Sequence, residues 1–307
     1  MAPVDRSSTA AETSTLTAPG LALRDFVTLA KPSITAMVLV TTAGGLLLAP
    51  GQVSGLTWLL TLVGTCMVVA GANALNMVIE RDSDRFMART KNRPLPAGRM
   101  SPRVALWFGL AMSIASLPLL VAVNLTTAFL AVLANLSYVL AYTPMKPRSH
   151  LALFVGAVPG AIPPLMGWTA ATARIDVGGL VLFGILFFWQ IPHFLAIALF
   201  RRNDYAAAGL KVMPNVAGVP ATKLAMVNYT AALVATSLLV FPLGIAGRGY
   251  LFGAFAAGCV FLAWATAGLG RPDPAEAPTK DRWARSFFGV SILYLLAIFV
   301  LLPLFRA

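Results

Sequence analysis

From Pro32 to Ile79 the sequence reads PSITAMVLVTTAGGLLLAPGQVSGLTWLLTLVGTCMVVAGANALNMVI, without a single Asp, Glu, Lys or Arg. A second run, from Val104 to Met145, is equally free of charge. One bilayer crossing needs about 20 apolar residues, so each run is long enough for two crossings. Pro50-Gly51-Gln52 and Asn124 are natural turn points inside the runs. Each run therefore predicts a pair of membrane-spanning segments.

The composition of the whole chain agrees with this prediction. Of its 307 residues, 58% are hydrophobic and only 11% are charged, whereas a soluble domain carries about 25% charged residues. A bilayer admits only helices or closed barrels, and the runs lack the ten-residue alternation of barrel strands. We predict an all-α polytopic membrane protein with about nine transmembrane helices. The predicted spans are 28–48, 56–79, 104–123, 125–142, 151–171, 177–199, 223–246, 249–268 and 286–304.

The chain divides into a tail and one domain. Residues 1–23 are rich in Ser, Thr and Ala and lack an apolar core, so they do not resemble a cleaved secretory signal. We predict a disordered N-terminal tail over 1–23 and a single transmembrane domain over 24–307.

The net charge of +12 would suggest a nucleic-acid partner in a soluble protein, but its distribution indicates membrane topology instead. The N-terminal region and the loops after predicted spans two, four, six and eight hold 20 of the 23 Lys and Arg residues, when Lys31 and Lys223 near the starts of their predicted spans are counted with the adjacent segments. The positive-inside rule places these segments, including the N-terminus, in the cytoplasm. We therefore predict no nucleic-acid partner. Acidic residues are better evidence for a site, because topology does not require them.

Acidic residues concentrate at the end of the second predicted span. Of 11 in the chain, Glu80, Asp82 and Asp84 lie within five positions. Asn76, Glu80 and Asp84 form one stripe on a helix, within an arc of roughly 80°. Such oxygen donors suit Mg²⁺, or alternatively Mn²⁺, and leave positions for phosphate oxygens. Asp82 joins them as a metal ligand only if the helix ends here. The alternative is a solvated helix end with salt bridges to neighbouring arginines.

Basic residues follow directly. Arg89, Lys91 and Arg93 are candidates for diphosphate recognition, because the guanidinium fork matches phosphate oxygens. Lys146, after the fourth predicted span, adds a cation on the same membrane face. The alternative is that all four basic residues only set the membrane topology and do not bind phosphate.

A second polar cluster ends the sixth predicted span, with Trp189-Gln190-Ile191-Pro192-His193 followed by Arg201-Arg202-Asn203-Asp204-Tyr205. Gln, Pro and His are costly in a transmembrane helix. His193 is therefore either functional or packed in a helix interface. Asp204 is the only acid in its loop and would complete a metal site from the opposite half. His150 is interpreted as a solvated loop residue.

Four motifs in order resemble the intramembrane prenyltransferase superfamily of the 4-hydroxybenzoate polyprenyltransferase type. Within it, the chain is similar to the haem O synthase branch. The motifs are Asp84–Pro96, Tyr142-Thr143-Pro144, Trp189–His193 and Asp204–Pro214. Two departures stand out: Glu80 replaces the usual first Asp, and Arg201 and Tyr205 stand where many members of the superfamily have Asp.

The resemblance implies that farnesyl diphosphate is the donor and haem b the acceptor. A haem vinyl group attacks the farnesyl group and water completes the product. It implies a metal ion held by Asn76, Glu80, Asp84 and Asp204. It further implies that the leaving diphosphate is stabilised by Arg89, Lys91, Arg93 and Arg201 or Arg202.

His193 is the implied haem contact, as an axial ligand or a propionate partner. A haem A synthase or a terminal oxidase is the implied partner. The bacterial plasma (inner) membrane is the implied location, with the mitochondrial inner membrane as the alternative.

Two other functions remain open. One is prenylation of a quinone or chlorophyll precursor; the other is a transporter with an intramembrane ion site. A transporter is expected to place polar groups near the midplane. Here the polar groups gather at one membrane face, which favours the enzyme.

Overall fold

The computed structural model describes residues 23–87, 90–272 and 281–306. These residues form helices, with one isolated backbone bridge between Ala246 and Arg306, which confirms the all-α prediction. The predicted tail lies outside the described residues except for Leu23. The helices are α1 Leu23–Ala30, α2 Pro32–Leu48, α3 Gly55–Asp84, α4 Pro102–Val123, α5 Leu125–Leu136, α6 Thr143–Met145, α7 Ala152–Thr172, α8 Val177–Phe200, α9 Arg202–Ala207, α10 Met213–Val216, α11 Val219–Leu238, α12 Arg248–Thr266 and α13 Arg282–Leu304.

Seven of the described helices, counting α5 and α6 as parts of one, are long and apolar enough to cross a membrane. The number rises to eight if the bent pair α1–α2 is one span. α11 lies where the seventh span was predicted and is 20 residues long. It carries Lys223 and Asn228 and is not among the seven. The described residues thus contain seven to eight candidate spans, and the ninth stays a prediction.

The first predicted span is broken at Lys31. α1 and α2 meet there at 48°, and Lys31 has φ 49° and ψ 70°. The next residue is Pro32, whose ring disfavours the α-helical conformation at the position before it. The break places Lys31 at a corner of the chain, close to α3.

α3 continues five residues beyond its predicted end and reaches Asp84. The Ser54 hydroxyl caps its start by accepting a hydrogen bond from the Thr57 backbone N–H over 3.1 Å. Because the helix is continuous, Asn76, Glu80 and Asp84 do share one stripe.

The centre of the bundle is built from α3, α7 and α8, whose most apolar segments are mostly buried in the protein. α2 packs closely on α7 at two glycines: a Cβ on Gly45 would meet the Pro164 carbonyl, and one on Gly167 would meet the Thr42 carbonyl. Small residues at helix crossings are typical of membrane bundles, where close packing replaces the hydrophobic driving force.

The outer helices present large apolar side chains outward. Examples are Trp107 on α4, Leu125 on α5 and Phe252 on α12, all strongly exposed. In water such a surface would be unfavourable, whereas in lipid it is the expected exterior. Between the outer helices and the centre, α2, α3, α5, α7 and α8 enclose a cavity.

Candidate active site

The cavity has a volume of about 430 Å³ and its two ends differ in chemistry. The deep end is mostly apolar; it is lined by Val68, Val69, Ala134, Pro163 and Met166, together with Thr65 and Asn135. The other end lies where α3 and α6 finish. We call this the polar end; it is lined by Lys31, Asn76, Glu80, Asp84, Arg93, Lys146, His150, Tyr205 and Lys211.

Asp84 is the most deeply buried acid of this end, with 1% of its surface exposed. Its Oδ2 accepts a hydrogen bond from Arg93 Nη1 over 2.7 Å. Its Oδ1 is buried without a hydrogen-bond partner among the described residues. A buried carboxylate oxygen left unpaired is costly, so this atom is suited to receive a cation.

Glu80 lies one turn back along α3. Its carboxylate forms an ion pair with Lys146, with Nζ 2.6 Å from Oε1. Lys146 also lies over the Tyr142 ring, 4.4 Å from the centroid. Burial acts to lower the pKa of Lys146, but Tyr142 and Glu80 outweigh it and hold that pKa above its ordinary value. Lys146 is therefore a cation at the polar end.

Asn76, at the start of the stripe, is fully buried and hydrogen-bonded on both sides. Its Oδ1 accepts from Lys31 Nζ over 2.9 Å, and its Nδ2 donates to Thr143 Oγ1 over 3.1 Å. Thr143 Oγ1 donates in turn to the Tyr138 carbonyl over 2.8 Å. These bonds join α2, α3 and α6 at the polar end.

Between α5 and α6 the chain adopts a short π-helical stretch, Ser137–Tyr142. Such stretches are uncommon and frequently mark functional sites. Both Tyr138 and Tyr142 line the cavity, with their ring centroids 5.3 Å apart. The stretch therefore places two aromatic rings beside Lys146.

The donors present fit a hard cation such as Mg²⁺. Asp84 Oδ1 is unpaired, Glu80 lies on the same stripe, and Asn76 carries an amide oxygen that accepts a hydrogen bond from Lys31. Among residues 23–87, 90–272 and 281–306, no three His, Cys, Asp or Glu side chains gather closely enough to hold a metal alone. Mg²⁺ commonly uses one or two carboxylates together with substrate phosphates. The site suits that mode of binding.

The structure separates two predicted metal ligands from this stripe. Asp82 points away from it because α3 continues past it; its side chain is 71% exposed and pairs with Arg81 over 3.4 Å. Asp204 is 41% exposed and pairs with Arg201 over 3.0 Å. Neither lines the cavity. Asp204 sits in the short helix α9, and it is its neighbour Tyr205 that faces the cavity.

Of the predicted diphosphate contacts, Arg93 and Lys146 line the cavity, whereas Arg201 does not. Lys91 is exposed in the loop after α3, and Arg89 lies outside the described residues. Arg202 lines a separate cavity together with Lys223 and Arg271.

Sequence reasoning missed Lys31 and Lys211, which both line the polar end. The sequence does offer one signal for Lys31, because it stands directly before a long uncharged run. The backbone N–H of Lys211 donates to the Lys146 carbonyl over 3.3 Å, a contact between distant loops that no local pattern indicates. His150, which was expected to be solvated, also lines the cavity.

His193 lies away from the cavity, in the interface between α8 and α13. Its Nδ1 is hydrogen-bonded to Ser291 Oγ over 2.7 Å. Its ring lies 4.5 Å from both the Trp189 and the Phe288 ring centroids. This is the packed-interface arrangement, in which the ring faces α13, and the haem contact stays a prediction. Gln190, three residues earlier, does line the cavity.

A bundle of membrane helices around an amphipathic cavity, with carboxylates and cations at one end, is the architecture of a prenyltransferase. The sequence profile of the UbiA prenyltransferase family matches residues 38–292, and the chain belongs to this family.

Two of the similar proteins carry the same name. The chain is 50% identical over 297 residues to the protoheme IX farnesyltransferase of Anaeromyxobacter dehalogenans, covering 96% of this chain and 98% of the relative. It is 54% identical over 244 residues to the protoheme IX farnesyltransferase of Sorangium cellulosum, covering 79% of this chain and 85% of the relative.

Solved structures share the fold. A structure of digeranylgeranylglyceryl phosphate synthase superposes with a TM-score of 0.77 at 19% identity, over 92% of this chain and 98% of the other. A UbiA homologue from Archaeoglobus fulgidus, bound to GPP and Mg²⁺, superposes with a TM-score of 0.64 at 18% identity, over 91% and 99%.

Proposed function

We propose that the protein transfers a farnesyl group from farnesyl diphosphate to a vinyl group of protohaem IX (haem b), with addition of water, to give haem O. The observation that carries the proposal is the two-ended cavity. Its polar end, with the unpaired Asp84 Oδ1, suits a metal-bound diphosphate, and its apolar end suits an isoprenoid chain and a porphyrin. Relatives at 50% identity or more, named for this activity, support the choice of substrates.

In this proposal Asn76, Glu80 and Asp84 hold a Mg²⁺ ion, for which Mn²⁺ is the alternative. When bound, the metal ion neutralises charge that develops on the leaving diphosphate. Residues outside the cavity, Asp82 and Asp204, are not included among the ligands.

Basic side chains of the chain stabilise the remaining negative charge of the leaving diphosphate. Lys31, Arg93, Lys146 and Lys211 line the polar end, where each would donate hydrogen bonds to diphosphate oxygens. Fixed cations in a buried site stabilise a leaving anion more strongly than water does. Lys146 keeps its charge because its pKa is raised.

The apolar end orients the acceptor and limits access of water. Its aliphatic lining excludes bulk solvent from the reacting carbon, while the aromatic rings of Tyr138 and Tyr142 line the cavity beside Lys146. The porphyrin must enter the same cavity, because its vinyl carbon has to reach the first carbon of the farnesyl group.

The proposal extends to topology and location. The polar end and the N-terminus face the cytoplasm, nine spans cross the bilayer, and the bacterial plasma membrane is the location, with the mitochondrial inner membrane as the alternative. A haem A synthase or a terminal oxidase receives the product.

The direct test is to incubate the purified protein in detergent with haem b, farnesyl diphosphate and Mg²⁺ and to measure the mass of the extracted haem. A gain equal to farnesyl plus water, abolished by a chelator, is the expected result. Prenylation of an aromatic acceptor with haem unchanged would instead indicate a quinone-type prenyltransferase. A folded protein that prenylates nothing would favour an intramembrane ion transporter.

A further inference from the structure

Polar side chains also line the cavity away from the charged cluster, among them Thr65, Asn135 and Gln190. Gln190 on α8 is 6% exposed and lines the cavity. Its Nε2 donates to the Ala157 carbonyl over 3.3 Å and to the Leu186 carbonyl over 3.0 Å. These two bonds fix the orientation of the amide. Its Oε1 accepts no hydrogen bond from the described residues, which leaves an acceptor without a protein partner in the cavity wall.

A glycine on the opposite helix makes room for this oxygen. A Cβ added to Gly160 on α7 would collide with Gln190 Oε1. Both residues line the cavity. The space beside Gly160 therefore accommodates the amide oxygen, and a larger residue at this position would displace that oxygen.

The position of this oxygen along the cavity follows from α7. Gly156 packs against the Tyr142 ring, and that ring lies beside Lys146 at the polar end. Gly160 is four residues further along, or about 6 Å at the rise of an α-helix. The acceptor thus lies about one helical turn below the charged cluster. With the diphosphate bound at the polar end, the first carbon of the prenyl group would lie near this level.

We propose that Gln190 Oε1 positions the water molecule that terminates the farnesyl transfer; this inference rests on the proposed function. A neutral amide is suited to the task, since it accepts a hydrogen bond from water without adding a charge near the reacting carbon. Buried polar groups of this kind commonly bind an ordered water.

The step balances as follows. The bond between the first farnesyl carbon and the diphosphate oxygen breaks, and the electron pair leaves with the diphosphate. The π pair of the vinyl group forms the new bond from its terminal carbon to the farnesyl carbon. The inner vinyl carbon becomes cationic and bonds to the oxygen of the positioned water, whose proton passes to the departing diphosphate.

Without a positioned water, the same cation loses a proton from the adjacent carbon and forms an alkene. That product is lighter than haem O by one water molecule. The ratio of hydrated to unhydrated product therefore reports on the water, independently of the overall rate.

The experiment compares Gln190→Leu and Gly160→Ala with the wild type, using haem b, farnesyl diphosphate and Mg²⁺. Gln190→Leu removes the acceptor at similar volume, and Gly160→Ala keeps Gln190 but displaces its oxygen. We expect the hydrated-to-unhydrated ratio to fall about fivefold or more in both, as loss of one hydrogen bond implies. Phe194→Leu, which changes another cavity residue without a polar atom, is the control and retains the wild-type ratio.

A wild-type product ratio in Gln190→Leu would overturn the inference. If that variant does not fold, the ratio measured for Gly160→Ala decides in the same way. Failure of the proposed function is distinguishable, because then the wild type itself leaves haem unmodified.

Discussion

Lys31 Nζ donates a hydrogen bond to Asn76 Oδ1 over 2.9 Å, joining the corner between α1 and α2 to the acidic stripe of α3. The two residues are 45 positions apart in sequence. The side-chain nitrogen of Lys31 therefore lies beside a proposed metal ligand and within the cavity that would hold the diphosphate. Because of this position, we assign Lys31 to the polar end of the cavity and not only to the basic residues that set membrane topology.

Replacing Lys31 by Met should lower kcat/KM for farnesyl diphosphate about 10- to 100-fold, since hydrogen bonds to charged groups contribute about 1.5–3 kcal/mol. Steady-state kinetics in detergent checks this expectation. Lys91→Met removes an exposed lysine of the loop after α3 and should change kcat/KM less than about threefold. Equal losses in the two variants would argue against a specific role for Lys31.

Asp84→Asn and Asp82→Asn form a matched pair of substitutions two positions apart on one helix. Asp84 carries the unpaired buried oxygen, whereas Asp82 is exposed. Asp84→Asn should reduce kcat by about 100-fold or more, as loss of charge stabilisation does, and should raise the Mg²⁺ concentration needed for half-maximal activity. Asp82→Asn should stay close to the wild type. A large loss in Asp82→Asn would show that α3 ends earlier in the working enzyme.

For Asp204, the structure and the sequence lead to different expectations about its role in metal binding. Because it is 41% exposed and pairs with Arg201 outside the cavity, Asp204→Asn should lower kcat less than about threefold, the range expected for an exposed ion pair. The Mg²⁺ dependence of turnover should be unchanged. A loss as severe as that of Asp84→Asn would mean that α9 closes over the site when substrate binds.

His193→Ala tests whether this histidine serves stability or haem binding. The substitution removes a hydrogen bond to Ser291 and a ring packed between two others. We expect it to destabilise the protein by about 2–4 kcal/mol, seen as a lower thermal midpoint in detergent. The folded variant should bind haem with wild-type affinity, measured by absorbance titration.

Ser291→Ala, which removes the partner on α13, should lower the midpoint less, because the His193 ring stays packed. If His193→Ala instead lost haem affinity at an unchanged midpoint, the haem contact implied by the family would be restored.

Several parts of the site were within reach of sequence reasoning. The stripe of Asn76, Glu80 and Asp84 depends only on helical periodicity, and α3 provides it. Arg93 and Lys146 were chosen for their charge, and both line the cavity. Whether Asp82 faces the site depended on where α3 ends, and α3 ends five residues past the predicted boundary. The sequence did not predict this end, because polar residues at a membrane surface can continue a helix as readily as stop it.

The sequence by itself determined that this is a helical membrane protein with its polar groups at one end, because long uncharged runs are compatible only with a lipid interior and periodicity sets which residues share a helix face. Only the tertiary structure decided which faces meet. It placed Lys31 against Asn76 and Lys146 against Glu80, turned His193 toward α13 and left Gln190 facing the cavity. The physical reason is that contacts between helices depend on their relative position and rotation. These are set by close packing at residues such as Gly45 and Gly167 and by the bend at Lys31, which no local pattern specifies.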